Sequence, residues 1–264
     1  MTPSDVQENH PRRQLWLWTL LLTAVFVYLW QGVRPEFLYS GFGVFTPYPV
    51  LAWDGAFLRD TLSTPGGLLN ALAALLAQTY RPGWLGALTI ALPLVAIFVA
   101  IRRLLQFRVT RDLAFAPVLA ALMIDTRYDD PLPILLAIGL SVGLAILYDS
   151  LPIKTPWTRV GPFLALFALA YSLAGASAFV FVAVVCLIEA LRRRRTALAL
   201  VEAALAAGVA FLLGWLLFAL EPRATFTAGT PWDPTRGAGF SVFSRTLIVV
   251  LYVSVPALLA IDLL

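Results

Sequence analysis

The chain has 264 residues, 60% of them hydrophobic and 13% charged, with a net charge of +4 and a mean hydropathy of +0.85. A soluble domain carries about 25% charged residues. Here the apolar residues fall in long blocks, which excludes a large soluble domain and implies an all-α polytopic membrane protein. The positive balance does not point to nucleic acid, because the arginines sit at the ends of apolar runs, where they act as topology signals. Cys186 stands alone, so no disulfide can form within the chain. His10 is the only histidine, which excludes a multi-histidine metal site and argues against a histidine-based triad. No cofactor is identified by any motif, and no metal is expected.

The pattern predicts one integral-membrane domain over 1–264 with about eight membrane segments, some short. They are Gln14–Gln31, Trp84–Ile101, Leu113–Ile124, Leu132–Tyr148, Gly161–Ala174, Ala178–Leu191, Ala197–Leu220 and Thr246–Ile261. Arg12 and Arg13 precede the first apolar run, and no small-residue cleavage site follows it, so the run reads as an anchored helix (14–31) rather than a cleaved signal.

An outer loop (32–83) follows. Its stretch Tyr39–Pro49 is rich in Gly, Pro and aromatics and reads as an ordered crossing. Val50–Leu62 reads as a short helix carrying Asp54, Arg59 and Asp60. Thr64 and Pro65 form a helix start, a hydroxyl cap followed by a first-turn proline. Leucines at 68, 69, 72, 75 and 76 make a helical stripe, and Arg81-Pro82-Gly83 ends it. We expect this amphipathic segment to lie on the membrane as an interfacial helix. The remaining 84–264 form the helical bundle.

Lys and Arg set the orientation. With the N-terminus in the cytoplasm, the inner links carry twelve of them and the outer links seven. The N-terminus is therefore expected on the cytoplasmic side, with membrane lipids as partners. Two hairpins, 113–148 and 161–191, have short arms. Leu113–Ile124 has 12 residues, a rise of about 18 Å, whereas spanning takes about 20 residues. Starting from the arginine-marked side, such helices stop below the outer surface, which predicts either an outward cavity roofed by the first loop or a locally thinned bilayer with flanking residues in the interface.

Several residues are candidates for chemistry. Asp54 and Asp60 are the acids of the first outer loop. Six positions apart on a helix, they point about 120° from each other and do not form a ready-made dyad. Either can serve as a general base, and the alternative is a solvated loop acid pairing with Arg59 or Arg81. Asp125, Arg127, Asp129 and Asp130 crowd one turn between two apolar helices. Acids at membrane depth are functional by default, and this spacing also suits a hard divalent ion, although Asp-Asp-Pro is a common polar turn as well. Arg223 and Arg236, with Trp232 and Asp233, occupy the last outer loop, where arginines can grip a phosphate. Arg192 to Arg195 reads as a topology lock touching lipid headgroups. Glu189 reads as a surface partner of Arg192 and Arg193 on its own helix. Glu202 lies inside an apolar run with no evident partner.

Two resemblances bear on function. Asp60 to Trp84, with Pro65-Gly66-Gly67-Leu68, Gln78 and Trp84-Leu85-Gly86-Ala87-Leu88, together with Tyr171 to Glu189, resembles an uncharacterised family of bacterial polytopic inner-membrane proteins. That family, a domain of unknown function, implies a bacterial inner membrane as the location and implies no activity. The order of one helix, a long acidic outer loop with interfacial helices, and a bundle around an outward cavity is similar to the GT-C membrane glycosyltransferases. That resemblance implies a polyprenyl-linked sugar as donor and Asp54 as catalytic base, with Asp60 in reserve. Trp53-Asp54 is similar to a Trp-Asp pair in some mannosyltransferases of the class. The alternative is a non-catalytic membrane subunit or scaffold working with other membrane subunits. A transporter is disfavoured, because the segments lack paired ionisable groups at mid-depth.

Overall fold

The computed structural model describes residues 19–39, 54–126, 132–153, 155–230, 232 and 242–264, and all regular structure among them is helical. The N-terminal helix, α1, covers Thr19–Val33 and ends in a π turn, Tyr28–Val33. Then come α2 (Pro35–Tyr39), α3 (Gly55–Leu62), α4 (Gly67–Ala77), α5 (Gly83–Leu104), α6 (Arg108–Leu113) and α7 (Phe115–Asp125). They are followed by α8 (Leu132–Ser150), α9 (Val160–Ala174), α10 (Phe179–Leu187), α11 (Thr196–Leu216), α12 (Pro222–Thr225) and α13 (Val242–Leu263).

The eight expected apolar segments are largely helical where they are described. Five helical runs are long and apolar enough to cross a membrane: Gly83–Leu104, Leu132–Ser150, Trp157–Arg192, Thr196–Leu216 and Phe243–Leu263. α7 has only 11 residues, for a rise of about 17 Å.

The run Trp157–Arg192 has 36 residues, yet it doubles back. Arg159 at its start pairs with Glu189 near its end, Nε to Oε1 at 3.0 Å. Phe163 packs on Phe181 at 5.4 Å between ring centres, and Phe167 on Phe179 at 5.7 Å. These pairs march antiparallel, so α9 and α10 form the predicted hairpin. The 15 residues of α9 rise about 22 Å, short of a hydrocarbon core of about 30 Å.

The hairpin tip, Gly175–Ala178, is fully inside the protein. Ser177 meets Tyr252 through their hydroxyls, and its carbonyl accepts from Ser141 Oγ at 3.2 Å. Ser141 and Tyr252 lie midway along α8 and α13. The tip therefore stops at the middle of the bundle, as the short arms imply.

Above the tip, an outward cavity is not what covers it. The Gly66 amide donates to the Ser172 carbonyl at 3.1 Å, and the Ala176 amide donates to the Ala228 carbonyl at 2.9 Å. Tyr171 Oη donates to the Thr225 carbonyl at 2.7 Å. Two outer-loop segments thus sit directly on the tip and satisfy its backbone, which lipid could not do. Glycine makes this approach possible. Gly175 has φ 61° and ψ −146°, a region essentially reserved for glycine, and a Cβ there would lie 2.5 Å from the Ala228 carbonyl oxygen.

The first loop departs from expectation at the cap of α4. The cap of α4 is Gly66 in the left-handed region (φ 79°), not Thr64, whose hydroxyl donates instead to the Thr61 carbonyl at 3.0 Å. The leucine stripe faces outward: Leu68, Leu72 and Leu75 are exposed, while Gly67, Ala73, Ala74 and Ala77 are buried. Small side chains let α4 come close to α8 and α9, so its alanine face packs on the bundle while its leucines face away from it. The crossing proposed for Tyr39–Pro49 lies, beyond Tyr39, outside the described residues.

Candidate functional site

The described members of the predicted site differ in burial. Asp54 is exposed and precedes α3 as its N-cap, where its Oδ1 accepts from the Phe57 amide at 2.6 Å. Its β-region backbone and short acceptor side chain suit that position, and they satisfy one of the helix's orphan amides. Asp60 is exposed on α3, a helix that buries none of its residues. Asp125, by contrast, is fully buried at the C-terminal end of α7, which packs on α13. It opens onto no surface and so does not share one with Asp54 and Asp60. Arg223 is exposed on the single turn of α12. Arg127, Asp129, Asp130, Asp233 and Arg236 lie outside the described residues.

Among the described residues, the densest polar constellation lies at the end of the bundle where the α9–α10 hairpin has its base. α8 and α9 bring Tyr148, Asp149 and Arg159 to it, and α10, α11 and the link between them bring Glu189, Arg192 to Arg195 and Glu202. Arg159 is 1% exposed, and Glu189 and Glu202 are 0% exposed. The Arg159 guanidinium is engaged through all three of its nitrogens. Nε faces Glu189 Oε1 at 3.0 Å and Tyr148 Oη at 3.3 Å, Nη1 donates to the Ile153 carbonyl at 3.1 Å, and Nη2 donates to the Tyr148 carbonyl at 3.0 Å. Its carbon also stacks 4.5 Å over the Tyr148 ring, the planar fit that favours arginine over lysine.

Around this core the contacts branch. Tyr148 Oη donates to Glu202 Oε1 at 2.6 Å, tying α8 to α11. Glu189 also receives Arg193 Nη1 at 2.9 Å, with Arg195 Nη1 3.8 Å away. Asp149 holds Arg192 at 2.9 Å and Arg193 at 2.7 Å. With its amide turned to accept, Gln106 Oε1 receives Arg192 Nε and Nη2, both at 2.6 Å. The helix carrying Glu189 widens to a π turn over Ile188–Arg192, and the Arg193 amide bonds five residues back to the Ile188 carbonyl. Such a turn shifts helix phase within a few residues. Here Glu189 points into the bundle while Arg193 reaches both carboxylates.

A second joint at this end is made by Asp262 of α13. Its carboxylate accepts from the Gln106 amide at 2.7 Å, the Phe107 amide at 2.9 Å and the Thr110 hydroxyl. This single acid fastens the end of α13 to the link between α5 and α6.

Sequence reading missed this cluster. Glu189 was expected on a helix surface, yet it is fully buried. Its decisive partner, Arg159, lies 30 positions away and cannot be found from local spacing. Glu202, for which no partner was evident, has Tyr148. A signal was present: two acids in apolar runs flank four arginines, and a carboxylate at membrane depth demands a partner from another helix. Chemically, the arrangement is a set of fixed charges closed off by protein. It can hold four helices in register.

No curated protein and no solved structure matches the chain. A family model does match, over residues 10–264 and so through every helix described above, and the chain accordingly belongs to the family of unknown function DUF6057.

Proposed function

We propose that the protein is a non-catalytic component of the bacterial inner membrane, a subunit or scaffold for other membrane proteins. One observation carries this reading. Arg159, Glu189 and Glu202, the charged groups buried at the arginine-rich end, bind one another or Tyr148 and join α8, α9, α10 and α11. Polar side chains used in this way fix helix register and give no access to a reactant. The excess of Lys and Arg on one set of links supports an N-terminus and arginine end in the cytoplasm.

A second reading keeps a GT-C-like transfer from a polyprenyl-linked sugar at the outer face. It is favoured by the exposure of Asp54 and Asp60 on α3, where carboxylates remain open to a substrate. Comparing the envelope glycans of cells that lack the gene with those of cells carrying Asp54→Asn or Asp60→Asn separates the two. The scaffold reading expects both variants to match wild type. A variant profile matching the deletion would establish the transferase instead.

A further inference from the structure

Between α10 and α11 runs an open-sided groove of about 520 Å³ with a wholly apolar wall. Ala183, Cys186 and Ala190 form one side, and Thr196, Ala199 and Ala203 the other. Alanine at facing positions leaves a channel where larger side chains would have closed the two helices together. Its mouth lies at the arginine-rich turn. Arg194, two residues before Thr196, turns the chain with φ 54°, is exposed, and makes no ion pair among the described residues. Its neighbours differ, since Arg192, Arg193 and Arg195 all face Asp149 or Glu189. Five arginines (Arg159 and Arg192 to Arg195) stand here against three carboxylates (Asp149, Glu189 and Glu202), leaving an excess of positive charge.

We propose that this groove is a binding site for an anionic membrane phospholipid. One acyl chain lies along the alanine wall, and the phosphate meets the Arg194 guanidinium at the mouth, within reach of the Thr196 hydroxyl. An apolar channel of this volume fits a flexible chain, and basic pockets between helices on the positive side of a membrane protein recognise anionic headgroups. The surplus charge selects an anionic headgroup over a zwitterionic one. A partner helix would also fit against small residues, but it would have to carry its own acid to Arg194, whereas the lipid brings the phosphate with it. The site is independent of the scaffold reading, because it concerns the lipid-facing surface rather than the buried joints.

Purified protein in mild detergent tests this, with native mass spectrometry after addition of phosphatidylglycerol or phosphatidylcholine. We expect phosphatidylglycerol to be retained in preference. Arg194→Gln should lower its retention at least fivefold, and Ala203→Phe, which fills the channel, should abolish it. Cys186 is the only cysteine and lines the groove, so its maleimide labelling in the wild-type protein should slow with phosphatidylglycerol and not with phosphatidylcholine. If Ala203→Phe does not elute as folded protein, Arg194→Gln and the labelling rates decide. Equal retention of both lipids, or unchanged retention in Arg194→Gln, overturns the proposal. So does loss of a co-isolated membrane protein from Ala203→Phe with phosphatidylglycerol still bound, which would assign the groove to a helix.

Discussion

The two ends of the α9–α10 hairpin are fastened by opposite means. At its base, side chains do the joining: Arg159, Glu189, Tyr148 and Glu202 link four helices through charge and hydrogen bonds. At its tip, the backbone does it: Gly66, Ser172, Ala176 and Ala228 exchange amide and carbonyl bonds across close approaches that depend on glycine. Both devices answer the same problem. A short hairpin ends inside an apolar medium, where every polar group must find a protein partner. The base meets it with long side chains that reach across several ångströms. At the tip, side chains are removed so that main chains can touch.

This contrast can be broken from either side. The largest effect should come from Glu189→Leu, which strands the Arg159 charge in the interior. Removing one member of a buried pair costs about 3–5 kcal/mol, and thermal unfolding in detergent should show a drop of many degrees. Gly175→Ala should follow. It forces a Cβ into the Ala228 carbonyl and a strained backbone onto alanine, for a loss of about 2 kcal/mol. Hydrogen exchange should then rise at Ala176 while the amides near Arg159 stay protected, because the damage is confined to the tip. Tyr148→Phe removes the donor to Glu202 and should cost about 1 kcal/mol, read in the same unfolding assay. Smallest of all is Asp54→Ala. It removes only the cap of an exposed helix, so exchange at Phe57 should quicken with no measurable change in global unfolding.

Much of this architecture is visible in the sequence, because membrane segments announce themselves by local composition. The helices at Trp84–Ile101, Leu132–Tyr148 and Ala197–Leu220 follow directly from uninterrupted apolar runs, and the short arms at 161–191 follow from counting residues. What composition does not carry is which face of a helix turns inward. In water the leucines of α4 would be the buried face. In lipid, leucine is at home outside and alanine marks the contact, and the stripe at Leu68, Leu72 and Leu75 accordingly faces away from the bundle. Length sets α7 apart from those runs, since its 11 residues are too few to cross a hydrocarbon core as one helix.

The site was less legible. Arg159 looked like one more topology signal in a link, and its place beside Glu189 depends on the hairpin closing, a contact over 30 positions. Gly66 and Gly175 gave no sign of each other. Asp54 and Asp60, which drew attention as acids in a polar loop, are exposed at the opposite end from the buried cluster.

The central claim is that the Arg159–Glu189 pair is a structural lock rather than reactive machinery, and one double-mutant cycle tests it most directly. Thermal unfolding in detergent would be measured for Arg159→Met, Glu189→Leu and the two together. A lock predicts that each single variant unfolds far below wild type, and that the double variant recovers most of the loss, because two well-packed apolar side chains replace a buried pair at little cost. A double variant as unstable as the sum of the singles would contradict it, since the two residues would then be acting independently.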